Sequence, residues 1–413
     1  MMNTFDTVIC GAGPAGLAAA YASTRNGEHT LLLEKQSVPG RRLLASGGGK
    51  CNFSNTLPEM KFMDSFGRNG RFMRDALRLG GRDAVLEHLK KCGVGWCIES
   101  GLYYFPESGR AADIRDAYLR PALENGLRLL TGTPVRKIVL ENGAVCAAET
   151  PDGIFRCRKF ILAAGGTAMP SRGGSGDGLR LAEAAGHTVT PPLPAMAPVC
   201  TAESWIPPLS GVSLPDAELK YSAGKTSAAS RGELLFTHDG LSGPAALDLS
   251  GPLYRAWEEK RDSFSLRLRF CAELGQAEWT AHLDRFRSTE GAKLIRTSLG
   301  SFLPHSVASA VAECAGLAET KNHALRNADR DRLAGLLGAM PLTVAKCCPM
   351  EKAMAMSGGV RLREVDPRTM ESRLVRGLFF AGEILDLTGP CGGFNIQFAL
   401  ASGLLAGTAV NKS

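Results

Sequence analysis

Residues 6–34, DTVICGAGPAGLAAAYASTRNGEHTLLLE, decide the fold of this chain. Asp6 to Cys10 is a short β-branched run of the kind that forms a buried parallel strand. A glycine-rich turn, a run of helix formers, a second apolar strand and an acid follow in that order. A lone glycine motif is weak evidence, but this complete order predicts a Rossmann-like dinucleotide-binding unit.

Each conspicuous residue of this stretch has a physical role in such a unit. Gly11 makes the tight turn, Gly13 lets the backbone approach a pyrophosphate, and Gly16 packs the helix against the strand. The pyrophosphate then lies at a helix N-terminus, where free N–H groups and the macrodipole favour anions. Glu34, eighteen residues after Gly16, is placed to accept hydrogen bonds from ribose hydroxyls.

Two later strands are expected to return to the same sheet. Phe160 to Gly166 and Gly377 to Glu383 are apolar runs that end in small residues. The second run leads to Asp386, to Gly392–Asn395 and to an apolar C-terminal helix. A helix N-terminus at this point could place positive dipole beside a ring that gains negative charge on reduction. The alternative is a glycine-rich packing seam between strand and helix.

The whole chain resembles the YhiN/BaiN-like FAD-dependent oxidoreductases, also called the aminoacetone oxidase family. The motifs that carry the resemblance run nearly end to end: GAGPAGLAAA, RRLLASGGGKCNFSN (41–55), FILAAGG, GELLFTHDGLSGPA (232–245) and TMESRLVRGLFFAGEILDLTGPCGGFNIQFALASG. More distant similarity extends to fumarate-reductase-type flavoproteins and flavin-dependent tRNA-modifying enzymes. This chain departs from the usual motifs at Lys50, at Phe394 and at Ala355–Met356, where the family commonly has Arg, Tyr and Val-Thr.

The resemblance implies FAD, and the glycine turn and its neighbours would hold the ADP half. The loop of residues 46–52 and the C-terminal motif would surround the ribityl chain and the isoalloxazine. The cofactor-binding residues predicted in this way are Gly11, Gly13, Ala15, Gly16, Glu34, Lys35, Arg42, Ser46, Gly47, Gly49, Lys50, Cys51, Asn52, Val135, Ala163, Gly165, Gly382, Glu383, Asp386, Gly392, Gly393, Phe394 and Asn395.

The fold class expected is α/β, with a Rossmann-like FAD-binding domain and an inserted β-barrel-like and helical domain. We expect the FAD-binding domain at 1–190 and 346–413, with long helical stretches around Arg71 to Lys91 and Ala111 to Leu129. A proline cluster near Pro191 marks a boundary. The insert at 191–345 is expected to be β-rich at 191–270, where Ser263 to Phe270 alternates, and helical at 271–340.

Composition narrows the class of protein. Among 413 residues, 44% are hydrophobic and 22% charged, which is ordinary globular usage and excludes wholesale disorder. The net charge of +7 suits an anionic ligand as well as nucleic acid. Twelve cysteines and no recognisable leader predict reduced thiols and a cytoplasmic protein. The charge-free stretch from Leu387 to Val410 has too short an apolar part to span a membrane, so we expect a buried helix.

No Cys/His cluster has zinc-ligand spacing and no phosphate-binding Gly-Lys-Ser/Thr loop occurs, so neither a metal nor a P-loop ATPase is expected. His238 is the first acid/base candidate, because its pKa in water is near neutral and it lies in a loop of the family motif. Tyr104 is a second proton donor candidate, although such aromatics more often pack. Gly173 to Gly178 follows Pro170 rather than a strand, so we do not expect a separate nicotinamide nucleotide site there.

The function expected is FAD-dependent reduction of an activated C=C bond in a small apolar substrate, with NADH or NADPH as a transient electron donor. This preference rests on the family resemblance. The alternatives are an amine oxidase that uses oxygen, a flavin-dependent tRNA-modifying enzyme and a flavin-binding sensor without turnover. Nucleic acid is the less expected partner, because no Lys/Arg run with interleaved aromatics is present.

Overall fold

The computed structural model describes residues 4–409, and within them the chain forms two compact units. Unit 1 comprises residues up to Pro192 together with those from Ala355 onward, and unit 2 comprises Leu193–Met354. Unit 1 is therefore discontinuous in sequence. Each unit has a seven-stranded sheet of its own, so the two are described separately.

The first part of unit 1 alternates strands with helices. Its strands are β1 (Thr4–Cys10), β2 (Thr30–Glu34), β3 (Ser54–Asn55), β4 (Trp96–Glu99), β5 (Tyr103–Pro106), β6 (Arg128–Thr131), β7 (Lys137–Glu141), β8 (Ala144–Thr150), β9 (Gly153–Leu162) and β10 (Val189–Ala195). Its helices are α1 (Pro14–Arg25), α2 (Arg41–Ala45), α3 (Glu59–Asp64), α4 (Arg74–Gly80), α5 (Arg82–Lys91), α6 (Ala111–Glu124) and α7 (Asp177–Ala184).

Unit 2 contains strands first and then mostly helices. Its strands are β11 (Val199–Thr201), β12 (Ser213–Ala223), β13 (Thr226–Thr237), β14 (Gly240–Ser242), β15 (Phe264–Arg269), β16 (Met340–Leu342) and β17 (Val344–Lys346). Its helices are α8 (Pro244–Glu259), α9 (Gln276–Thr289), α10 (Ile295–Leu299), α11 (His305–Cys314) and α12 (Asn327–Ala339). The chain then returns to unit 1 with β18 (Ala355–Val360), β19 (Leu378–Phe380) and α13 (Phe394–Thr408).

The central sheet of unit 1 confirms the Rossmann-like prediction. Its order is β6-β2-β1-β9-β8-β7, with β19 also paired to β9. Strands β2, β1, β9 and β19 are parallel, and Ile9 lies beside Leu32 on one side and Ile161 on the other. All three side chains are fully buried, as expected for a parallel sheet that is covered on both faces. The carboxyl ends of these strands therefore meet at one edge, where ligands of such sheets bind.

The sheet of unit 2 is antiparallel, in the order β16-β15-β12-β13-β14-β11-β17. Its two edge strands, β16 and β17, are separated in the chain only by Thr343. Edges joined by one residue require the sheet to curl back on itself. The sheet is a half-barrel, which confirms the predicted β-barrel-like character of the insert. In β15, Leu266 and Leu268 are buried whereas Ser265 and Arg267 are exposed, which confirms the predicted alternation.

The predicted helical stretch around Arg71 to Lys91 is helical in the structure, but it is divided into several segments. The structure has a 3₁₀ segment to Met73, then α4, a break at Gly81 and α5. A Cβ at Gly80 would lie 2.8 Å from the Cα of Ala401 in α13, so close packing against α13 requires glycine where the chain breaks. The second predicted helix ends at Glu124, five residues before the expected Leu129.

The charge-free C-terminal stretch forms α13, which is buried over most of its length. Between residues 4 and 409, no helix combines the length and apolarity that crossing a bilayer requires. Helix α13 packs along α1: the hydroxyl of Ser23 donates to the carbonyl of Gly407, and a Cβ at Gly403 would lie 2.1 Å from the carbonyl oxygen of Ala15. The two ends of unit 1 are thus in direct contact.

Candidate functional site

The glycine turn, residues 11–16, lies at the carboxyl edge of the parallel sheet. A Cβ at Gly16 would lie 1.8 Å from the carbonyl oxygen of Gly11, so the helix approaches the turn more closely than any side chain allows. At Gly13 the same test finds no heavy atom within 4 Å. Gly13 also begins α1 without a side-chain cap, and the first-turn N–H groups of a helix attract anions. The turn has both the space and the donors for a pyrophosphate.

Glu34 closes the other side of the turn. Its carboxylate is buried, and its two oxygens accept the N–H of Ala12 at 2.7 Å and of Gln36 at 2.8 Å. Each carboxylate oxygen has a further lone pair for a ligand hydroxyl. The adjacent loop is attached to the same residue, because the N–H of Thr133 donates to the backbone carbonyl of Glu34 at 3.0 Å. This loop carries the buried Val135 and lies where the adenosine end of a dinucleotide would be expected.

Lys35 and Arg42 both form ion pairs within unit 1. The Lys35 ammonium lies 2.8 Å from the carboxylate of Asp177, at the start of α7. Arg42 pairs with Glu383, although 341 residues separate them in the chain. Burial lowers the pKa of the Arg42 guanidinium, but the Glu383 carboxylate more than offsets this and raises it above its ordinary value.

The second oxygen of Glu383 accepts the N–H of Met356 at 3.1 Å. A Cβ at Gly165 would lie 3.0 Å from the Arg42 guanidinium. The ion pair therefore brings together the segment after β9, the segment after β19 and the strand β18. Gly382 completes this meeting point, since a Cβ there would lie 2.8 Å from the side chain of Ala15 in α1.

The loop of residues 46–52 follows α2 and has several residues in left-handed backbone conformations. The N–H of Cys51 donates to the carbonyl of Ser46 at 3.0 Å, and the N–H of Lys50 to that of Gly47 at 3.2 Å. The Lys50 ammonium pairs with Glu99 at 3.2 Å on the surface. Burial raises the pKa of the Cys51 thiol to about 12, so this thiol is protonated at neutral pH. Within the loop, Asn52 is half-buried, and the three consecutive glycines, Gly47 to Gly49, have no side chains that would cover the backbone.

The carboxyl-terminal turn, residues 389–393, immediately precedes α13. The side chain of Asn395 donates to and accepts from the backbone of Gly389, with both bonds at 2.9 Å. The Asn55 amide donates to the carbonyl of Gly392 at 2.9 Å. A Cβ at Gly393 would lie 2.6 Å from the backbone of Ser54. The turn is therefore held tightly against β3, with the uncapped start of α13 beside it.

Phe394 does not present its ring to a ligand. The side chain is buried, and its ring centroid lies 4.9 Å from that of Phe62 and 6.0 Å from that of Phe66. Its backbone N–H lies at the first turn of α13. Sequence reasoning missed Asn55, which holds the turn from 337 residues away. Its only signal was its place at the end of the motif of residues 41–55.

The remaining predicted residues fall in both units. Ala163 follows β9, and its N–H donates to the carbonyl of Cys10 at 2.9 Å. Asp386 is half-buried, with its N–H bonded to the carbonyl of Val360. Tyr104 lies in β5 of unit 1, half-buried, with its ring 6.1 Å from that of Phe53.

The two proton-transfer candidates thus belong to different units. His238 is exposed in the turn between β13 and β14 of unit 2. Its neighbour Asp239 pairs with Lys352 at 2.5 Å. Among residues 4–409, no group of His, Cys, Asp and Glu side chains could hold a metal ion.

Comparison with known proteins gives a match over residues 5–409 to a family described as HI0933-like protein Rossmann domain. The chain is similar to a 3-dehydro-bile acid delta(4,6)-reductase of Clostridium scindens, at 28% identity over 97% of this chain and 98% of that protein. It is also similar to a ribosomal RNA dihydrouridine synthase of Escherichia coli, at 27% identity over 97% and 96%.

Among solved structures, the fold is similar to a 3-ketosteroid delta1-dehydrogenase from Sterolibacterium denitrificans, with a TM-score of 0.55 at 13% identity over 98% of this chain and 99% of that one. It is also similar to the FrdA subunit of E. coli quinol fumarate reductase, with a TM-score of 0.52 at 14% identity over 98% and 69%. At these identities the likeness establishes the fold alone.

Proposed function

The chain belongs to the family of HI0933-like proteins with a Rossmann domain and is an FAD-dependent oxidoreductase, and we propose that it reduces a C=C bond conjugated to a carbonyl. NADH or NADPH is the proposed electron donor. The observation that carries the proposal is the chemistry shared by two full-length relatives. A delta(4,6)-reductase acts on C=C bonds of a bile acid, and dihydrouridine is uridine with its carbonyl-conjugated ring double bond saturated.

The residues of unit 1 fit FAD. The first-turn N–H groups of α1 would bind the pyrophosphate at Gly13, where the backbone leaves open space. Glu34 would accept the ribose hydroxyls with the lone pairs that its two backbone donors leave free. Bound FAD supplies hydride transfer, which the side chains of the protein do not provide.

The carboxyl-terminal turn would serve the reactive end of the cofactor. The uncapped N-terminus of α13 directs its dipole and its first N–H groups toward the site, and these favour negative charge there. The Arg42–Glu383 pair holds the neighbouring segments in place, with Glu383 also fixing the backbone of Met356. Met356 is one of the two positions at which this chain departs from the Val-Thr of its relatives, so we propose that it contributes to substrate choice.

Reduction of a conjugated C=C bond needs a proton as well as a hydride. We assign the proton to the phenol oxygen of Tyr104, because Tyr104 belongs to the unit that contains the cofactor residues. The imidazole of His238 is the second candidate. Replacing Tyr104 with Phe and His238 with Gln separates them: loss of turnover with normal flavin reduction identifies the proton donor.

Anaerobic titration with NADH and NADPH tests the proposed reaction. Bleaching of the visible flavin bands by either nucleotide, followed by reoxidation on adding a conjugated enone, is the expected result. The saturated product is then identified by mass. Failure of both nucleotides to bleach the flavin, combined with bleaching by amines, would replace the proposal with an amine oxidase. Failure of amines as well would indicate a flavin-binding sensor.

A second candidate substrate is a uracil of ribosomal RNA, which the similarity to two dihydrouridine synthases favours. A nucleic acid substrate binds with strong salt dependence, because counterions leave the phosphates. Incubating the reduced enzyme with ribosomal RNA and measuring dihydrouridine by mass spectrometry decides between the substrates. Enone reduction without dihydrouridine supports the small molecule, and the reverse result supports RNA.

A further inference from the structure

The small sheet of unit 1, in the order β3-β5-β4, carries two aromatic side chains on one face. Successive side chains of a strand point to opposite faces, so Tyr103 and Phe105 of β5 point to the same side. Directly opposite residues of paired strands also share a face, and the strand register places Asn55 and Glu99 opposite Tyr103. We call the face that carries these four side chains the aromatic face.

The aromatic face packs against both glycine-rich segments that are proposed to surround the reactive end of FAD. A Cβ at Gly392, in the carboxyl-terminal turn, would lie 2.6 Å from Cε1 of Tyr103, so this ring lies directly against the backbone of the turn. A Cβ at Gly47, in the loop of residues 46–52, would lie 3.5 Å from Cε1 of Phe105. These two segments are far apart in the chain, and β5 places one aromatic ring beside each.

Both rings are half-buried, so each keeps part of its surface accessible. An aromatic ring packs most favourably with another flat ring, either stacked or edge to face. The two charges beside these rings offset each other, because the Lys50 ammonium lies 3.2 Å from the Glu99 carboxylate. The same ammonium lies 5.8 Å from the centre of the Phe105 ring. The aromatic face therefore suits a flat and uncharged ring.

We propose that Tyr103 and Phe105 contact the substrate and select a cyclic one, in which the C=C bond and the carbonyl group belong to one flat conjugated ring. This inference rests on the proposed reduction, since it takes the substrate to be a conjugated carbonyl compound. The conjugated atoms of such a ring lie in one plane, and the ring puckers once the C=C bond is saturated. Packing on the aromatic face is therefore stronger for the substrate than for the product, which assists product release.

The test measures binding to the FAD-bound, oxidised protein without nucleotide, so that no turnover occurs. The signal is the change in visible flavin absorbance on titration. The probes are two pairs, testosterone with its saturated form dihydrotestosterone, and uridine with dihydrouridine. We expect the conjugated member of one pair to bind about threefold more tightly than its saturated counterpart, or better. No binding of any probe at millimolar concentration, or equal binding within both pairs, would overturn the proposal.

Three variants locate the contact. Tyr103→Ala removes the ring and is expected to weaken binding of the conjugated probe about tenfold and to abolish the preference over the saturated one. Tyr103→Phe keeps the ring and should restore both the affinity and the preference. Phe264→Ala removes a half-buried ring of unit 2 that stacks on Tyr221, and it should bind the probe normally. Unchanged binding in Tyr103→Ala, or an equal loss in Phe264→Ala, would contradict the assigned contact.

The amount of bound flavin and its bleaching by NADH or NADPH are measured on the same proteins. Bleaching tests the proposed reduction separately, because a flavin that neither nucleotide reduces would overturn the reaction and leave the binding results unchanged. Normal FAD content in Tyr103→Ala, together with weaker binding of the probe, supports the assigned contact. Loss of FAD from Tyr103→Ala would show that this ring holds the cofactor rather than the substrate, and it would overturn the inference.

Discussion

The glycine turn is built mainly from neighbours in the chain, whereas the carboxyl-terminal turn depends on partners more than 300 residues away. Gly11, Gly16 and Glu34 lie within 24 consecutive residues: a Cβ at Gly16 would meet the carbonyl oxygen of Gly11, and the Glu34 carboxylate accepts the N–H of Ala12. Only Gly11 also lies close to a distant segment, the backbone of Ala163 after β9. The carboxyl-terminal turn needs Asn55, and the nearby Glu383 needs Arg42. Local sterics therefore specify one end of the cofactor site, and long-range packing specifies the other. Substitutions at the two ends of the cofactor site should therefore differ in how strongly they change stability and FAD binding.

The largest effect is expected at the local end. Gly16→Ala would place a Cβ 1.8 Å from the carbonyl oxygen of Gly11, and we expect it to cost about 3 kcal/mol of stability or more. Gly13→Ala is the matched control, because its Cβ meets nothing within 4 Å. Urea unfolding of the apoproteins measures both. A stable Gly13→Ala protein that binds FAD weakly is expected, and an equally stable Gly16→Ala protein would contradict the close approach.

A smaller loss of stability is expected near the carboxyl-terminal turn. Glu383→Gln leaves the Arg42 guanidinium without its counter-charge, and we expect a loss of about 2 kcal/mol in the free energy of unfolding, because the pair is only partly exposed. The double variant Arg42→Met/Glu383→Leu removes both charges. With the single variants Arg42→Met and Glu383→Leu it completes a double-mutant cycle. We expect the double variant to lose less stability than the sum of those two single losses, and a loss equal to that sum would show that the pair does not interact.

A substitution at Glu34 is expected to change FAD affinity rather than stability. Glu34→Gln places an amide N–H₂ against one of the two backbone N–H donors from Ala12 and Gln36, and it removes the charge. We expect FAD affinity to fall about tenfold, measured by quenching of FAD fluorescence on titration with apoprotein. Glu141→Gln, an exposed carboxylate at the end of β7, is the control. Unchanged affinity for Glu34→Gln would remove Glu34 from the ribose site.

The smallest effect concerns pH at the far end of α13. The Lys159 ammonium donates to the carbonyls of Gly407 and Ala409 at 2.9 and 2.6 Å, and burial lowers its pKa to about 8. Because the unfolded chain keeps its proton to about pH 10.5, the unfolded state binds more protons between these values, and stability rises with pH there.

We expect a gain of about 1 kcal/mol between pH 8 and 9 that Lys159→Met abolishes. Unfolding by urea across this pH range measures it. A pH profile that is the same in both proteins would show that Lys159 titrates normally.

The sequence alone predicted those parts of the structure whose conformation is determined within one short segment. The order of β1, glycine turn, α1, β2 and Glu34 could be predicted because β-branched runs, glycine spacing and an acid at a fixed distance act locally. The alternation in β15 could be predicted for the same reason: each side chain reports its own face of the strand. The family resemblance then predicted further cofactor-binding residues at positions where the local sequence pattern alone gives no indication.

The other features of the fold and of the site could not be predicted from the sequence, because they depend on contacts between segments that are distant in the chain. Gly80 and Gly81 are visible in the sequence, but helical periodicity continues past them, and only the approach of α13 explains why the helix breaks there. Nothing in the spacing of Phe394 distinguishes a ring that faces a ligand from one buried between Phe62 and Phe66. The pairing of Arg42 with Glu383 is likewise a product of the fold.

The packing of α13 along α1 has a consequence for biosynthesis. Gly403 and Gly407, which fit against Ala15 and Ala19 of α1, are synthesised nearly 400 residues after α1. Until then one face of α1 has no partner, and the site lacks one of its two ends. The complete cofactor site can therefore form only after α13 has been synthesised.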